Sequence, residues 1–448
     1  MYALTPIRIY ALDRALNDAT CVARLDRMLK AMGKTQKDVV RITDENLGDV
    51  VGELQRLWPP ESVPTGQVRS FMRPLVFTTM DLSYRRPDLK PLLQRCPKGT
   101  SLGILTAIFG HLTTAIDQHP HQRDQQENCV CWPTYNFGTM SGCPHGCLYC
   151  GTGRDGKFIS ITLNLEEYME KVVGPVIEAN PWNKVFRMIL NGADLITFEP
   201  EYGLHDLFTR KLAQYEDRYG HFHTGSWNVA WMADLPHRDR LVGVWSTTCE
   251  AAARDFEPGT GHAVDRIEAG RKCNEMGIPV RYKFKPVIPV RNWREEYAWI
   301  LEQALKRSRP ESIGFCLYIW NTYETMTKTL PVDLLDPECV EAARQDADKS
   351  KRLDAKTRIE MKGVRTGPFP HRTRAEIYRH LIREARRWDK DVLLYLSTET
   401  REMWDELKDE LGQDPRAYVC GCSSVAAPGR RLALSPGFRY STYHPTPL

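Results

Sequence analysis

The chain has 448 residues, 42% apolar and 26% charged, with a formal net charge of +4. These are the proportions of a globular protein long enough for one large catalytic domain with extensions, or for two domains. No run of about 18 apolar residues occurs, and the N-terminus lacks the basic start and apolar run of a signal peptide. Both absences argue against a membrane protein and predict a cytoplasmic one. Thirteen cysteines in such a chain point to metal ligands and reduced thiols rather than to a disulfide framework. The mild positive charge permits nucleic-acid binding without requiring it.

In chain order, residues 1–128 read as a mainly helical N-terminal extension. Apolar residues at three- and four-residue intervals predict helices over Asp18 to Met32, Thr35 to Trp58 and Ser101 to Gln118, with breaks at Pro59-Pro60 and Pro64. Ser70 to Arg95 is basic through Arg73, Arg85, Arg86, Lys90 and Arg95, suiting either a solvated surface or a phosphate backbone. From about residue 131 short apolar runs alternate with amphipathic segments, the βα rhythm of a parallel barrel or doubly wound sheet. The expected strands are Trp132–Phe137, Val185–Leu190, Asn228–Trp231, Val242–Ser246, Val280–Val287 and Ile313–Tyr318, with helices such as Leu165–Val173, His262–Met276 and Glu295–Lys306. Residues 346–377 are strongly charged, read as a solvated helix and loop or as an edge facing nucleic acid. A last strand at Val392–Leu396 and a helix from Arg401 to Leu411 precede a tail containing Cys420-Gly-Cys422.

The most informative motif is Ser-Gly-Cys-Pro-His-Gly-Cys-Leu-Tyr-Cys at 141–150, which places Cys143, Cys147 and Cys150 in a Cys-x3-Cys-x2-Cys triplet. Three thiolates on one loop can hold three irons of a [4Fe–4S] cluster and leave the fourth open. A zinc site would normally use two Cys pairs or a Cys/His set, and His145 is too close to its neighbours in the chain to complete one easily. Gly142 and Gly146 supply the freedom that a wrapping loop needs. The spacing resembles that of the radical S-adenosylmethionine (SAM) superfamily. That resemblance implies an open iron that binds SAM, Tyr149 as the aromatic residue of the loop, and reductive cleavage to a 5′-deoxyadenosyl radical. It also implies an α/β fold, a partial (β/α)6 TIM-like barrel over 129–330, with 331–448 completing or capping it and active residues at the strands' C-terminal ends.

Further along, Asn191-Gly192-Ala193-Asp194 follows the second strand, where members of this superfamily often carry a turn that accepts the SAM amino group. The order Trp245-Ser246-Thr247-Thr248-Cys249-Glu250, Phe256-Glu257-Pro258-Gly259-Thr260, Arg266 to Ala269 and Lys285-Pro286-Val287-Ile288-Pro289 resembles the spore photoproduct lyase family over roughly 131–405. It implies hydrogen abstraction from a thymine-derived group, with Ser246, Lys283 and Lys285 as candidates for contact with the SAM carboxylate or ribose. Glu257 as a turn cap and Arg266 paired with Glu268 or Glu257 on the barrel exterior are the plainer structural readings of those residues.

The resemblance departs at two places. In the repair lyases a cysteine near the end of the second strand returns a hydrogen atom to the product; here that neighbourhood reads Leu190 to Asp194 with no cysteine. After Cys150 the chain runs Gly151-Thr152-Gly153, where the repair lyases have a tyrosine. Cys249, Cys273 and Cys316 are the possible substitutes, of which Cys249 alone is predicted at a strand's active end, so Cys249 and Tyr318 are the catalytic candidates. Without a donor the product radical would retake hydrogen from 5′-deoxyadenosine. The favoured expectation is thus an isomerase or mutase on a hypermodified thymidine, free or in DNA, with a repair lyase as the close alternative. Radical chemistry on a peptide or small metabolite, and an Fe–S sensor that binds DNA, are the other classes. Trp227, Trp231, Trp320 and Tyr318 are aromatics that could stack on a base. An external reductant such as flavodoxin or ferredoxin is expected, since no such domain is fused. The pairs Cys129/Cys131 and Cys420/Cys422 form a candidate second site for an Fe–S cluster or zinc.

Overall fold

The computed structural model describes residues 1–57, 67–82, 88–109, 116–117, 129–130, 134–189, 192–319, 321–351 and 367–429. Two sheets dominate these residues. The first draws on both sides of residue 128. Its strands β1 (Ile9–Leu12), β2 (Val39–Ile42) and β3 (Leu75–Thr78) are joined, after the two-residue strands β4 (Ile116–Asp117), β5 (Cys129–Val130) and β6 (Thr134–Tyr135), by β7 (Met140–Ser141) and β8 (Ile159–Thr162). The order is β2-β1-β3-β8-β7, with β2, β1, β3 and β8 parallel and β7 antiparallel to β8.

Three strands of this sheet lie in the region expected to be mainly helical, alongside its helices. The helix predicted from Asp18 to Met32 is present as Ala19–Ala31, with the Asp18 carboxylate capping Cys21 N–H. The segment from Thr35 to Trp58 instead holds a 3-10 turn at Gln36–Asp38, strand β2 and a helix at Leu47–Arg56. The third predicted helix is described over Leu102–Phe109. Val39 and Val40 are β-branched residues that suit a strand, and a short strand inside an apolar-periodic stretch is hard to separate from helix.

The second sheet has six parallel strands in sequential order: β9 (Val185–Met188), β10 (Tyr219–Thr224), β11 (Leu241–Thr247), β12 (Val280–Val287), β13 (Ser312–Leu317) and β14 (Leu393–Leu396). A parallel bridge from Asn136 to Arg187 sets the first expected strand beside β9. Helices follow most strands, at Leu204–Leu212, Ala263–Glu275, Trp293–Ser308 and His371–Trp388, whereas only 3-10 turns lie between β10 and β11. One expected strand is wrong: Asn228–Trp231 is loop and 3-10 turn, and the strand in that unit is Tyr219–Thr224. Strand β15 (Glu399–Thr400) pairs antiparallel with β5.

Along β12, Val280, Tyr282 and Phe284 pack into the helix-covered core while Lys283 and Lys285 face a cavity. This is the period-two alternation of a strand. β13 behaves alike, with Ile313, Phe315 and Leu317 in the core and Cys316 at the cavity.

Arg24 of the Ala19–Ala31 helix ties the segment after β8 to the one after β9. Its Nε donates to the Tyr202 carbonyl at 2.9 Å, Nη1 donates to the Leu163 carbonyl, and Nη2 pairs with Glu166 at 2.7 Å. The side chain is buried, so Arg24→Met would take from the Tyr202 carbonyl its side-chain donor and from the Leu163 carbonyl one of two donors, and should cost about 1–3 kcal/mol. Chemical denaturation should show a lower midpoint with an unchanged slope; an unchanged midpoint would refute this role.

Candidate active site

At the C-terminal ends of the six-stranded sheet lies a cavity of about 660 Å³. Cys143, Cys147 and Cys150 all line it. Their loop holds its shape through two glycines. Gly142 and Gly146 have φ of +92° and +69°, and a Cβ on Gly146 would come within 2.6 Å of Ser70 Oγ. Two arginines clamp the loop. Arg73, delivered just before β3, donates to the carbonyls of Cys143 and Gly153. Sequence reasoning saw Arg73 only as one of a basic group.

On the other side, Tyr149 Oη donates to Glu257 Oε1, and Glu257 Oε2 accepts from Arg266 Nη2. Arg266 also donates to the Gly261 carbonyl at 3.0 Å and the Ser246 carbonyl at 3.1 Å. Arg266 and Glu257 are 1% and 3% exposed, so the pair is internal rather than on the barrel exterior. Backbone bonds from Gly259 N to His145 O (2.8 Å) and Leu148 N to Phe256 O (2.9 Å) complete the attachment. The Phe-Glu-Pro-Gly-Thr stretch is thus the bracket of the cysteine loop.

Gly192 and Asp194 line the cavity; Asn191, like Leu190, lies outside the described residues. The Asp194 carboxylate accepts from Thr224 Oγ1 at 2.8 Å and from Gly225 N at 2.8 Å, and His145 Nδ1 stands 3.7 Å away. Its two oxygens keep acceptor capacity for a further donor. Ser246 Oγ is 2.7 Å from His223 Nε2. Lys285 Nζ donates to Thr398 Oγ1 at 3.1 Å, and Lys283 Nζ to Cys422 Sγ at 3.6 Å.

The two catalytic candidates separate. Tyr318 lines the cavity, edge-on to Tyr149 at 6.5 Å. Cys249 does not: it is wholly buried in the core beneath the helix that starts at Glu250, and burial pushes its thiol up to about 12. Among the described thiols outside the cysteine loop, the cavity is reached by Cys316 and Cys422. Of the aromatics, Trp227 is exposed against Tyr2 and Trp231 packs on His205; neither lines the cavity, and Trp320 lies outside the described residues. In the candidate second metal site, Cys420 Sγ and Cys422 Sγ are 3.7 Å apart. Cys131 lies outside the described residues, as does the side chain of Cys129.

Residues 131–330 match the family model described as spore photoproduct lyase. The chain is similar to the spore photoproduct lyase family of radical SAM proteins. A curated relative, spore photoproduct lyase of Bacillus subtilis (strain 168), is 23% identical over 189 residues, 40% of this chain. The match takes in 53% of that protein, so the chain spans about half the length of the relative. Solved structures share the fold. Spore photoproduct lyase complexed with dinucleoside spore photoproduct superposes with a TM-score of 0.58 at 16% identity, covering 89% of this chain and 100% of that one. A mutant with bound AdoMet and the same dinucleoside gives the same values. In this spore photoproduct lyase-like chain no described helix is long and apolar enough to cross a membrane.

Two predictions follow from the site's electrostatics. Burial, then the nearby cations, hold His221 and His223 well below the ordinary histidine value. Unfolded histidines gain protons as pH falls below about 6.5 while the folded ones stay neutral. Stability is therefore full above that pH and drops below it by about 1.4 kcal/mol per pH unit for each histidine. Urea midpoints between pH 7 and 5.5 should fall less steeply in His221→Gln/His223→Gln than in the parent. Arg266→Met strands the buried Glu257 charge and should cost about 3–5 kcal/mol. Combining it with Glu257→Gln should recover part of that loss in thermal unfolding; no recovery would argue against the pair.

Proposed function

We propose that this chain is a radical SAM enzyme acting on a thymine-derived nucleotide or base. The observation that carries the reading is the meeting of the Cys143/Cys147/Cys150 loop, the Tyr149–Glu257–Arg266 bracket and the Gly192–Asp194 turn on one cavity at parallel strand ends.

The residues fit a [4Fe–4S] cluster. Cys143, Cys147 and Cys150 line one cavity and supply the donor set of a cluster in which each thiolate takes a different iron. Cys143, Cys147 and Cys150 would hold the cluster. Asp194 would accept the SAM ammonium, and Ser246 with Lys283 or Lys285 would contact its carboxylate or ribose. With SAM bound, such a cluster supplies a 5′-deoxyadenosyl radical able to abstract hydrogen.

The protein's part is to exclude water and orient. Tyr149 and Tyr318 form an aromatic wall and Arg154 and Asn321 a polar rim, a lining suited to a nucleobase with its sugar and phosphate. The segment Leu190 to Asp194 carries no cysteine, which supports rearrangement of a hypermodified thymidine. Cys422 at the cavity supports the second reading, a repair-type lyase.

The anaerobic, iron-loaded, dithionite-reduced protein should convert SAM to 5′-deoxyadenosine, and Cys147→Ala should reduce this to background with loss of the cluster's visible absorbance. A fully loaded protein that neither binds nor cleaves SAM would overturn the reading. With a hypermodified thymidine, an isomer whose substituent has moved marks rearrangement; with dinucleoside spore photoproduct, two unlinked thymines mark the lyase, read by chromatography against the undamaged dinucleoside because the mass does not change.

A further inference from the structure

The tail is built into the active cavity. Arg281, fully buried on β12, donates from Nη1 to the Gly421 carbonyl and from Nη2 to the Ala426 carbonyl, both at 2.8 Å. The Ser424 carbonyl accepts from Lys184 N at 2.7 Å and Val185 N at 2.9 Å, at the start of β9. Gly421 passes so close to the sheet that a Cβ would lie 2.7 Å from Tyr395 Oη and 3.0 Å from Ser312 Oγ. These contacts leave one side chain of the segment in the cavity, Cys422. Its sulfur has Lys283 Nζ at 3.6 Å and Cys420 Sγ at 3.7 Å. A thiol, an ammonium and a second sulfur therefore share exchangeable protons at the wall of the space that Cys143, Cys147 and Cys150 also line.

We propose that Cys422 is the residue that quenches carbon-centred radicals in this cavity by hydrogen-atom transfer, an inference that rests on the radical SAM reading above. In the step, the substrate-derived carbon radical gains one electron from the Cys422 sulfur and one proton from the Cys420–Cys422–Lys283 cluster. A C–H bond forms and a Cys422 thiyl remains. One electron from the external low-potential reductant and one proton from solvent restore the starting state. SAM is then consumed, because its 5′-deoxyadenosine is not asked to return hydrogen. Cys316 also reaches the cavity, but its Sγ is turned to the carbonyl of Leu317 at 3.5 Å.

The test needs only SAM. In D2O, the cluster-loaded protein with dithionite and SAM alone should release 5′-deoxyadenosine carrying solvent-derived deuterium, since in the absence of substrate the cavity thiol is the donor the radical meets. Cys422→Ala and Cys422→Ser should each lower the deuterated fraction several-fold while iron content and SAM cleavage persist; Cys316→Ala should not. Independently of turnover, SAM should slow alkylation of Cys422 by iodoacetamide, read by peptide mass spectrometry, more than that of half-buried Cys96, which lies outside the cavity. No 5′-deoxyadenosine from the parent would overturn the function proposed above. Cleavage with equal deuterium in parent and Cys422 variants, or iron lost with Cys422→Ser, would overturn the donor assignment alone.

Discussion

The position of the three cluster-type cysteines depends on a buried ion pair. Arg266 and Glu257 are almost wholly out of water, where charges are expensive unless every polar atom around them is engaged. Glu257 accepts from Tyr149 as well as from Arg266, and Arg266 also reaches the carbonyls of Gly261 and Ser246. One pair thereby joins the cysteine loop, the end of β11, the turn after it and the next helix. Arg73 holds the loop from the other side through the carbonyls of Cys143 and Gly153. Arg73, just before β3, and Arg266, on the Ala263–Glu275 helix, thus hold the same ten-residue motif, the first directly and the second through Glu257.

Elements buried on both faces were legible in the sequence. β12 was expected over Val280–Val287 and is found there, because its alternation of aromatic and basic residues is flanked by clear turn signals. The helix from Arg401 to Leu411 was equally plain, with Thr400 at its N-cap and Gly412 left-handed at its end. β10 was missed for a physical reason: Tyr-Gly-His-Phe-His-Thr looks polar, since His221 and His223 point to the same side as the cavity residues and only Phe222 joins the core between them. The four-residue strands of the N-terminal sheet are too short to outweigh helical spacing around them.

The site divides in the same way. Cys143, Cys147, Tyr149 and Cys150 are neighbours in sequence, so their shared role is written locally. Cys249 was placed at the active end by its nearness to the end of β11, but the chain turns into the Glu250–Phe256 helix there and carries the thiol into the core. Arg73 reaches the cysteine loop, and Cys422 the cavity, through long-range contacts with Cys143, Gly153 and Lys283. No local spacing reports such contacts; the period-two run Arg281, Lys283, Lys285 was the available signal that one face of β12 must meet acceptors.

That run explains why the tail belongs to the catalytic unit. Three basic side chains on one face of a buried strand would repel each other at low dielectric. Each instead meets a partner: Arg281 the carboxylate of Glu311 and the tail carbonyls, Lys283 the Cys422 sulfur, Lys285 the Thr398 hydroxyl. The tail's carbonyls do for Arg281 what water would do elsewhere. Part of the charge compensation along β12 is therefore met by this one segment, and Cys422 is the side chain that the segment leaves in the cavity.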